Sequence, residues 1–303
     1  MKTVLVLGAN GGVGSVAARA FKAHGWRVIG LVRPGKSAGE GVLSVAADLF
    51  DAQAVAAACG HVDVVFNGLN VPYPVWADRL LPTLTAAADI AEALGARHIY
   101  PGSVYNFGRH MPPRLTPQTP FAPTTLKGRL RVKAEAMFRE RAEAGRLHTI
   151  VVRAGDFFGD VAANSWMNAL VAKDLRKGKL SSPGGYDTVH AWACLPDLAE
   201  VIVRLAEVEG DLAAYEVFHF ESWNVTMREL RTAAEQALGR RVRLSRFPRL
   251  IFHLAAPFDA FMKATLEMLY LWDVPHGLYD ERLARVIGEA PRTPLDQALR
   301  YLV

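Results

Sequence analysis

The chain has 303 residues, 51% of them hydrophobic, enough to bury a large core in one sizeable α/β domain or two smaller units. A formal net charge of +5 and a pI near 9.3 are only mildly basic, and the Lys and Arg residues are scattered, which excludes nucleic acid as a partner. Cys59 and Cys194 lie in apolar surroundings without metal-ligand or redox spacing and read as buried free thiols, in keeping with a reducing cytoplasm.

In chain order, Met1-Lys2 precedes a short apolar run that ends in glycines rather than at a cleavage site, so it is expected to be a strand and not a secretory signal. Short β-branched runs predict strands over Thr3 to Leu7, Arg27 to Val32, Val62 to Asn67, Arg97 to Tyr100 and His148 to Arg153. Helical patterns start near Gly12, Asp51, Ala77 and Thr125. Apolar strands alternating with helices imply a doubly wound α/β fold, a parallel sheet covered on both faces. Five prolines between Asn106 and Thr125 predict an ordered loop over a site. After Arg153 the alternation lapses, and helices are expected near Ser165 to Lys177, Pro196 to Glu209 and Thr226 to Leu238, the last opened by a capping box at Thr226 and Glu229. This divides the chain into residues 1–160 and a smaller C-terminal α/β substrate lobe, 161–303, some of whose segments return to the first sheet. Leu250 to Trp272 is the longest later apolar stretch, but it contains His253, Pro257, Asp259, Lys263 and Glu267. One or two amphipathic helices, and no membrane partner, are expected there.

The turn Gly8-Ala9-Asn10-Gly11-Gly12-Val13-Gly14 sits between a strand and a helix. Glycines at that junction let backbone N–H groups and the helix dipole face a pyrophosphate, so the first half is expected to be a dinucleotide-binding Rossmann domain. The second strand ends Leu31-Val32-Arg33, followed by Lys36, where an acid would bind ribose hydroxyls. Arg33 offers a planar fork of donors and Lys36 a nearby charge, which favours NADP(H), with NAD(H) the other cofactor this turn admits. The competing reading makes both solvated loop cations.

Two residues separate successive glycines of the turn, a spacing that resembles the extended and atypical short-chain dehydrogenase/reductases, the NAD(P)-dependent epimerase/dehydratase group. The resemblance runs from Lys2 to about Val201. It implies that Asp48, followed by Leu49, touches the adenine, although Asp48 could equally cap the next helix. It also places Asn67-Gly68-Leu69 beside the cofactor ribose, where the plain alternative is a turn. Ser103 falls at the family's catalytic serine position, or simply finishes a strand.

The family's Tyr-x-x-x-Lys pair is absent, and the pattern aligns Lys127 with the Tyr and Arg131 with the Lys. Four residues apart, the two share a helix face and could reach ribose or phosphates. Lys127 could also serve as a proton donor or Schiff-base former. Tyr105 is the other candidate acid, its phenol protonating a carbonyl oxygen as hydride arrives. Arg153-Ala154-Gly155-Asp156-Phe157-Phe158-Gly159 resembles the turn that packs near the nicotinamide, which brings Ala154, Gly155 and Asp156 to the cofactor. Asp197 resembles the acid that opens a helix in the family. Trp166, Trp192 and Trp223, with His190, could line a ring-stacking pocket or be core. The nine histidines lack ligand spacing, and Gly-x-Ser-x-Gly is absent, so neither a metal nor serine hydrolysis is expected.

The resulting expectation is a cytoplasmic, NADP(H)-preferring oxidoreductase or epimerase/dehydratase-like enzyme. It would act by hydride transfer on a small carbonyl, sugar or aromatic-containing metabolite, with a homodimer as the assembly to test. The alternative is a non-catalytic NADP(H)-binding sensor.

Overall fold

The computed structural model describes residues 1–159 and 165–303. β1 (Thr3–Leu7) leads into α1 (Gly12–Ala23), β2 (Arg27–Val32), β3 (Leu43–Ala46), α2 (Ala52–Cys59), β4 (Val64–Asn67), α3 (Trp76–Leu94) and β5 (Arg97–Gly102). The proline-rich segment carries only β6 (Arg114–Leu115), ahead of α4 (Leu126–Glu143), β7 (Thr149–Arg153) and β8 (Asp156–Phe158). Then come β9 (Lys179–Ser182), β10 (His190–Cys194), α5 (Leu195–Glu207), β11 (Tyr215–His219), β12 (Trp223–Val225), α6 (Met227–Leu238) and β13 (Arg243–Arg246). The chain closes with α7 (Leu250–Ala255), α8 (Ala260–Leu266), β14 (Gly277–Leu278), α9 (Glu281–Ile287) and α10 (Leu295–Ala298).

Seven parallel strands form the main sheet in the order β11-β7-β5-β4-β1-β2-β3. Every residue of β1, β4 and β7 is buried, as expected for central strands covered on both faces. On one face Val4, Val6, Phe66 and Ile150 meet Phe21 of α1 and Ile202 of α5. On the other, Leu5, Leu7 and Val65 meet Val55 of α2, Leu84 of α3 and Phe138 of α4. Asp51 caps α2 by accepting from Ala54 N at 2.9 Å, and Thr125 caps α4 by accepting from Gly128 N at 3.0 Å. Both cysteines are buried.

To the main sheet the structure adds two strands that hydrophobic periodicity did not delimit. β3 and β11 are the sheet edges, and their half-exposed residues break the apolar run that marks a central strand. β11 comes from the second half of the chain yet pairs in parallel with β7. The expected boundary at residues 160 and 161 lies outside the described residues. The helix expected over Ser165 to Lys177 is instead two short turns, Met167–Val171 and Leu175–Lys177, which insert Met167, Val171 and Leu175 into the lobe core. In the lobe, β10 lies between β8 and β12, and β9 pairs with β13. The capping box of α6 forms as expected, Thr226 and Glu229 each bonding the other's backbone N–H.

Candidate active site

Parallel strands place their carboxyl ends on one rim, and a ligand crevice opens where successive connections diverge to opposite sides. Here that point lies between β1, whose chain continues to β2 on one side, and β4 on the other. The turn after β1 is built for close approach. Gly8 has φ +79°, and a Cβ on it would stand 2.9 Å from the Gly68 carbonyl oxygen. A Cβ on Gly14 would collide with the Gly8 carbonyl oxygen, and one on Gly68 would stand 3.0 Å from that of Leu7. Gly11 N–H donates to Gly8 O at 2.8 Å, and Gly11 precedes α1 as its N-cap with no side chain capping the helix, so its first N–H groups face the rim. The cradle fits a dinucleotide pyrophosphate. Gly12 and Val13 form the first turn of α1 beside it.

Beyond β2, Arg33 and Lys36 are exposed, and neither has an ion pair or side-chain hydrogen bond among the described residues. Asn10 Nδ2 donates to Ser37 O at 2.9 Å, which ties their loop to the glycine turn. Asp48 does not cap α2, as Asp51 does so. Asp48 accepts from Phe50 N at 3.1 Å, closing a turn that leaves its carboxylate exposed and Leu49 half-buried. Asn67 departs from the expected role of a ribose contact. Its side chain is buried, with Nδ2 donating to His98 Nε2 at 3.2 Å, while its Oδ1 accepts from Leu69 N at 3.3 Å. What this segment offers the rim is the backbone of Gly68 and Leu69.

At the end of β5, Ser103 Oγ is enclosed without a hydrogen-bond partner among the described residues. The next turn buries Tyr105, whose hydroxyl lies 2.7 Å from that of Tyr73. Burial pushes the Tyr73 phenol up to about 12 and Tyr105 well above its usual value. The Asp156 carboxylate pushes both in the same direction, and the Arg131 guanidinium opposes it. Arg131 has no carboxylate partner among the described residues. It donates to Tyr100 Oη and lies over the Trp76 and Tyr100 rings at 4.9 and 5.4 Å. Its charge is therefore directed at phenols.

Lys127 behaves differently from its helix neighbour, and this corrects the expectation that it meets the cofactor. It is buried, ion-paired to Glu267, and donates to Ala264 O at 2.7 Å, with its Nζ 4.8 Å from the Tyr73 ring centre. Glu267 also accepts from Leu126 N at 3.1 Å, so one acid of the lobe fixes the start of α4. Lys127 anchors the lobe and is not poised at the rim.

A second buried pair stabilises the turn that carries Tyr105. Arg153 Nη2 meets Glu135 Oε2 at 2.7 Å, Arg153 Nη1 donates to Ser103 O at 2.5 Å, and Asn106 Nδ2 donates to Glu135 Oε1 at 2.9 Å. In the following turn Ala154 is core, and Gly155 admits the Ala191 backbone at a spacing no side chain would permit. Asp156 binds His190, Oδ2 to Nε2 at 2.8 Å, and His190 stacks on Trp272 at 4.6 Å. Trp166 packs edge-on against Trp272, while Trp192 is core and Trp223 lies apart under Arg292. Asp197, in the first turn of α5, accepts from Thr293 N at 2.8 Å and so fastens the C-terminal segment.

Sequence reasoning missed Tyr73, Tyr100, Glu267 and the Asp156–His190 pair. A tyrosine between two prolines just past a strand's carboxyl end, as in Pro72-Tyr73-Pro74, was the one local signal for any of them. No cluster of three or more His, Cys, Asp or Glu able to hold a metal occurs among the described residues.

Comparison with known proteins agrees with this geometry. The profile of the NAD dependent epimerase/dehydratase family matches residues 4–219. A putative epimerase from Burkholderia cenocepacia J2315 is similar in structure, with TM-score 0.78 and 20% identity over 99% of this chain and 96% of that one. A UDP-glucose-4-epimerase from Stenotrophomonas maltophila, with bound NAD and formylated UDP-arabinopyranose, gives 0.76 and 17% over 100% and 97%. A dTDP-glucose 4,6-dehydratase from Streptomyces venezuelae, with NAD and TYD bound, gives 0.74 and 17% over 99% and 96%. No curated protein matches the sequence. At these identities the structural likenesses speak for the fold.

Proposed function

The chain belongs to the NAD dependent epimerase/dehydratase family, and from that premise we propose an NADP(H)-preferring oxidoreductase or epimerase/dehydratase acting by hydride transfer on a small carbonyl or sugar substrate in a reducing cytoplasm. Membership makes it an enzyme of the short-chain dehydrogenase type. The lobe segments after residue 165 that do not return to the main sheet supply the substrate side of the crevice. When bound, the dinucleotide provides the hydride acceptor and donor. Gly8, Gly11 and Gly14 admit its pyrophosphate to the N-terminus of α1, and Arg33 and Lys36 hold a 2′-phosphate, a reading supported by their side chains having no ion pair or hydrogen bond among the described residues.

The Tyr105–Tyr73 pair beside Arg131 carries the reading, because it returns a phenol to a site whose sequence had lost one. Ser103 Oγ donates to the substrate oxygen. Tyr105, kept protonated by burial, gives that oxygen its proton as hydride arrives. Tyr73 Oη then donates to the Tyr105 phenolate, and Arg131 stabilises its charge. Because two structural relatives are named for nucleotide sugars, such sugars head the substrate panel. An epimerase returns the hydride and shows no net NADPH consumption, so products must be analysed as well as absorbance. A non-catalytic sensor would bind NADPH tightly and turn over nothing. The test is turnover by Tyr105→Phe, expected to fall by about 10²-fold or more with NADPH binding retained. An unchanged rate would remove Tyr105 from the chemistry.

A further inference from the structure

The α7–α8 hairpin has one packed face and one bare face. On the packed side Phe252 meets Trp166 and Phe247, Met262 and Leu266 join the lobe core, and Phe261 stacks over Tyr73 with ring centres 6.1 Å apart. On the other side Leu250, Ile251, Leu254 and Phe258 stand in solvent, Leu254 at 65% and Phe258 at 92% exposure. Apolar side chains this exposed and this close together are rare on a surface with nothing to bind.

The charge around the patch is predominantly positive. Residues 240–263 contain Arg240, Arg241, Arg243, Arg246, Arg249 and Lys263 against the single acid Asp259, and of these cations Arg249 is paired to Asp273 at 2.8 Å. Asp259 is itself occupied as the cap of α8, accepting from Phe261 N and Met262 N at 2.8 and 3.0 Å. Arg241, Arg243 and Arg246 are exposed and have no carboxylate partner among the described residues. Arg241 and Arg243, with Arg231 and one acid, Glu235, line a cleft in the strand region that leads into the hairpin.

We propose that this hairpin and its basic flank seat the enzyme on an anionic lipid surface, Leu254 and Phe258 entering the acyl boundary while the arginines meet headgroup phosphates. The pairing of bare apolar side chains with a surplus of cations is what an interfacial amphipathic segment presents to such a bilayer. A second copy of the chain fits worse, since a self-complementary interface would set the same cations against one another. The seat lies in the membrane plane and spans nothing. No helix among the described residues is long and apolar enough to cross a membrane. The proposal revises the sequence-based expectation of no membrane partner.

Flotation of the full chain with phosphatidylcholine vesicles, with and without phosphatidylglycerol, tests it. Binding is expected on the anionic vesicles alone, weakened by added salt. It should fall about tenfold or more in Leu254→Asp/Phe258→Asp and in Arg241→Glu/Arg243→Glu, both retaining the wild-type melting temperature. Absence of binding to both vesicles, or equal binding to both, overturns the proposal. So does self-association that the Leu254→Asp/Phe258→Asp variant abolishes while vesicles remain unbound, which would make the patch a dimer interface.

Discussion

Arg153 and Arg131 both lie near the Ser103–Tyr105 turn and are balanced by different means. Arg153 is fully enclosed and meets Glu135 through two nitrogens, so its charge is spent on holding the turn. Among the described residues Arg131 meets a phenol and ring faces and no carboxylate, and its charge remains to act on Tyr73 and Tyr105. Three histidines show the cost of burial more directly. Burial pushes His98, His219 and His276 down to about 3, helped by the charges of Arg141, Arg153 and His190 respectively. At His98 the neutral ring accepts from Asn67 at Nε2, so Nδ1 carries the proton and donates to Thr149 Oγ1 at 3.2 Å. The unfolded chain takes up these protons near pH 6.5, where the folded chain cannot. Stability is therefore complete above about pH 6.5 and falls as the pH drops toward 3, by up to about 2 kcal/mol per histidine at pH 5. Urea denaturation at pH 7.5 and 5 should show the loss, and equal midpoints would contradict it.

The glycine turn owes its function to an element, the exposed start of α1. Gly14→Ala would ordinarily favour a helix, by about 1 kcal/mol. Here the added methyl meets the Gly8 carbonyl, so NADPH binding should be lost and stability should fall by about 1–3 kcal/mol. Gly39→Ala, where nothing lies within 4 Å, should stay within about 0.5 kcal/mol of wild type in thermal melts. A Gly14→Ala chain that binds NADPH normally would refute the cradle. At this scale the sequence was most legible. The central strands and the starts of α1 to α4 follow from apolar runs and caps such as Asp51 and Thr125. β3 and β11 were obscured by edge exposure, and the stretch after Ser165 by a helical spacing that serves two separate turns.

Across the whole molecule, the paired polar groups around the candidate site come from strand ends and lobe segments far apart in the chain. Lys127 finds Glu267 across 140 positions, Asp156 finds His190 across 34, and Tyr105 finds Tyr73 across 32. No local pattern announces such pairs. The glycine turn was readable because it acts through its own few residues, whereas the buried partner of Lys127 was not, because Glu267 lies in another lobe. On the proposed reading the cofactor's two ends have different tasks, the phosphate end facing β1 and β2 and the reacting end β5 and the lobe. The central claim, use of the phosphorylated dinucleotide at that first end, is tested most directly by calorimetric titration of the purified chain with NADPH and NADH. NADPH should bind about tenfold or more tighter, and Arg33→Ala/Lys36→Ala should erase the difference. Equal or tighter binding of NADH by the wild-type chain would contradict the account.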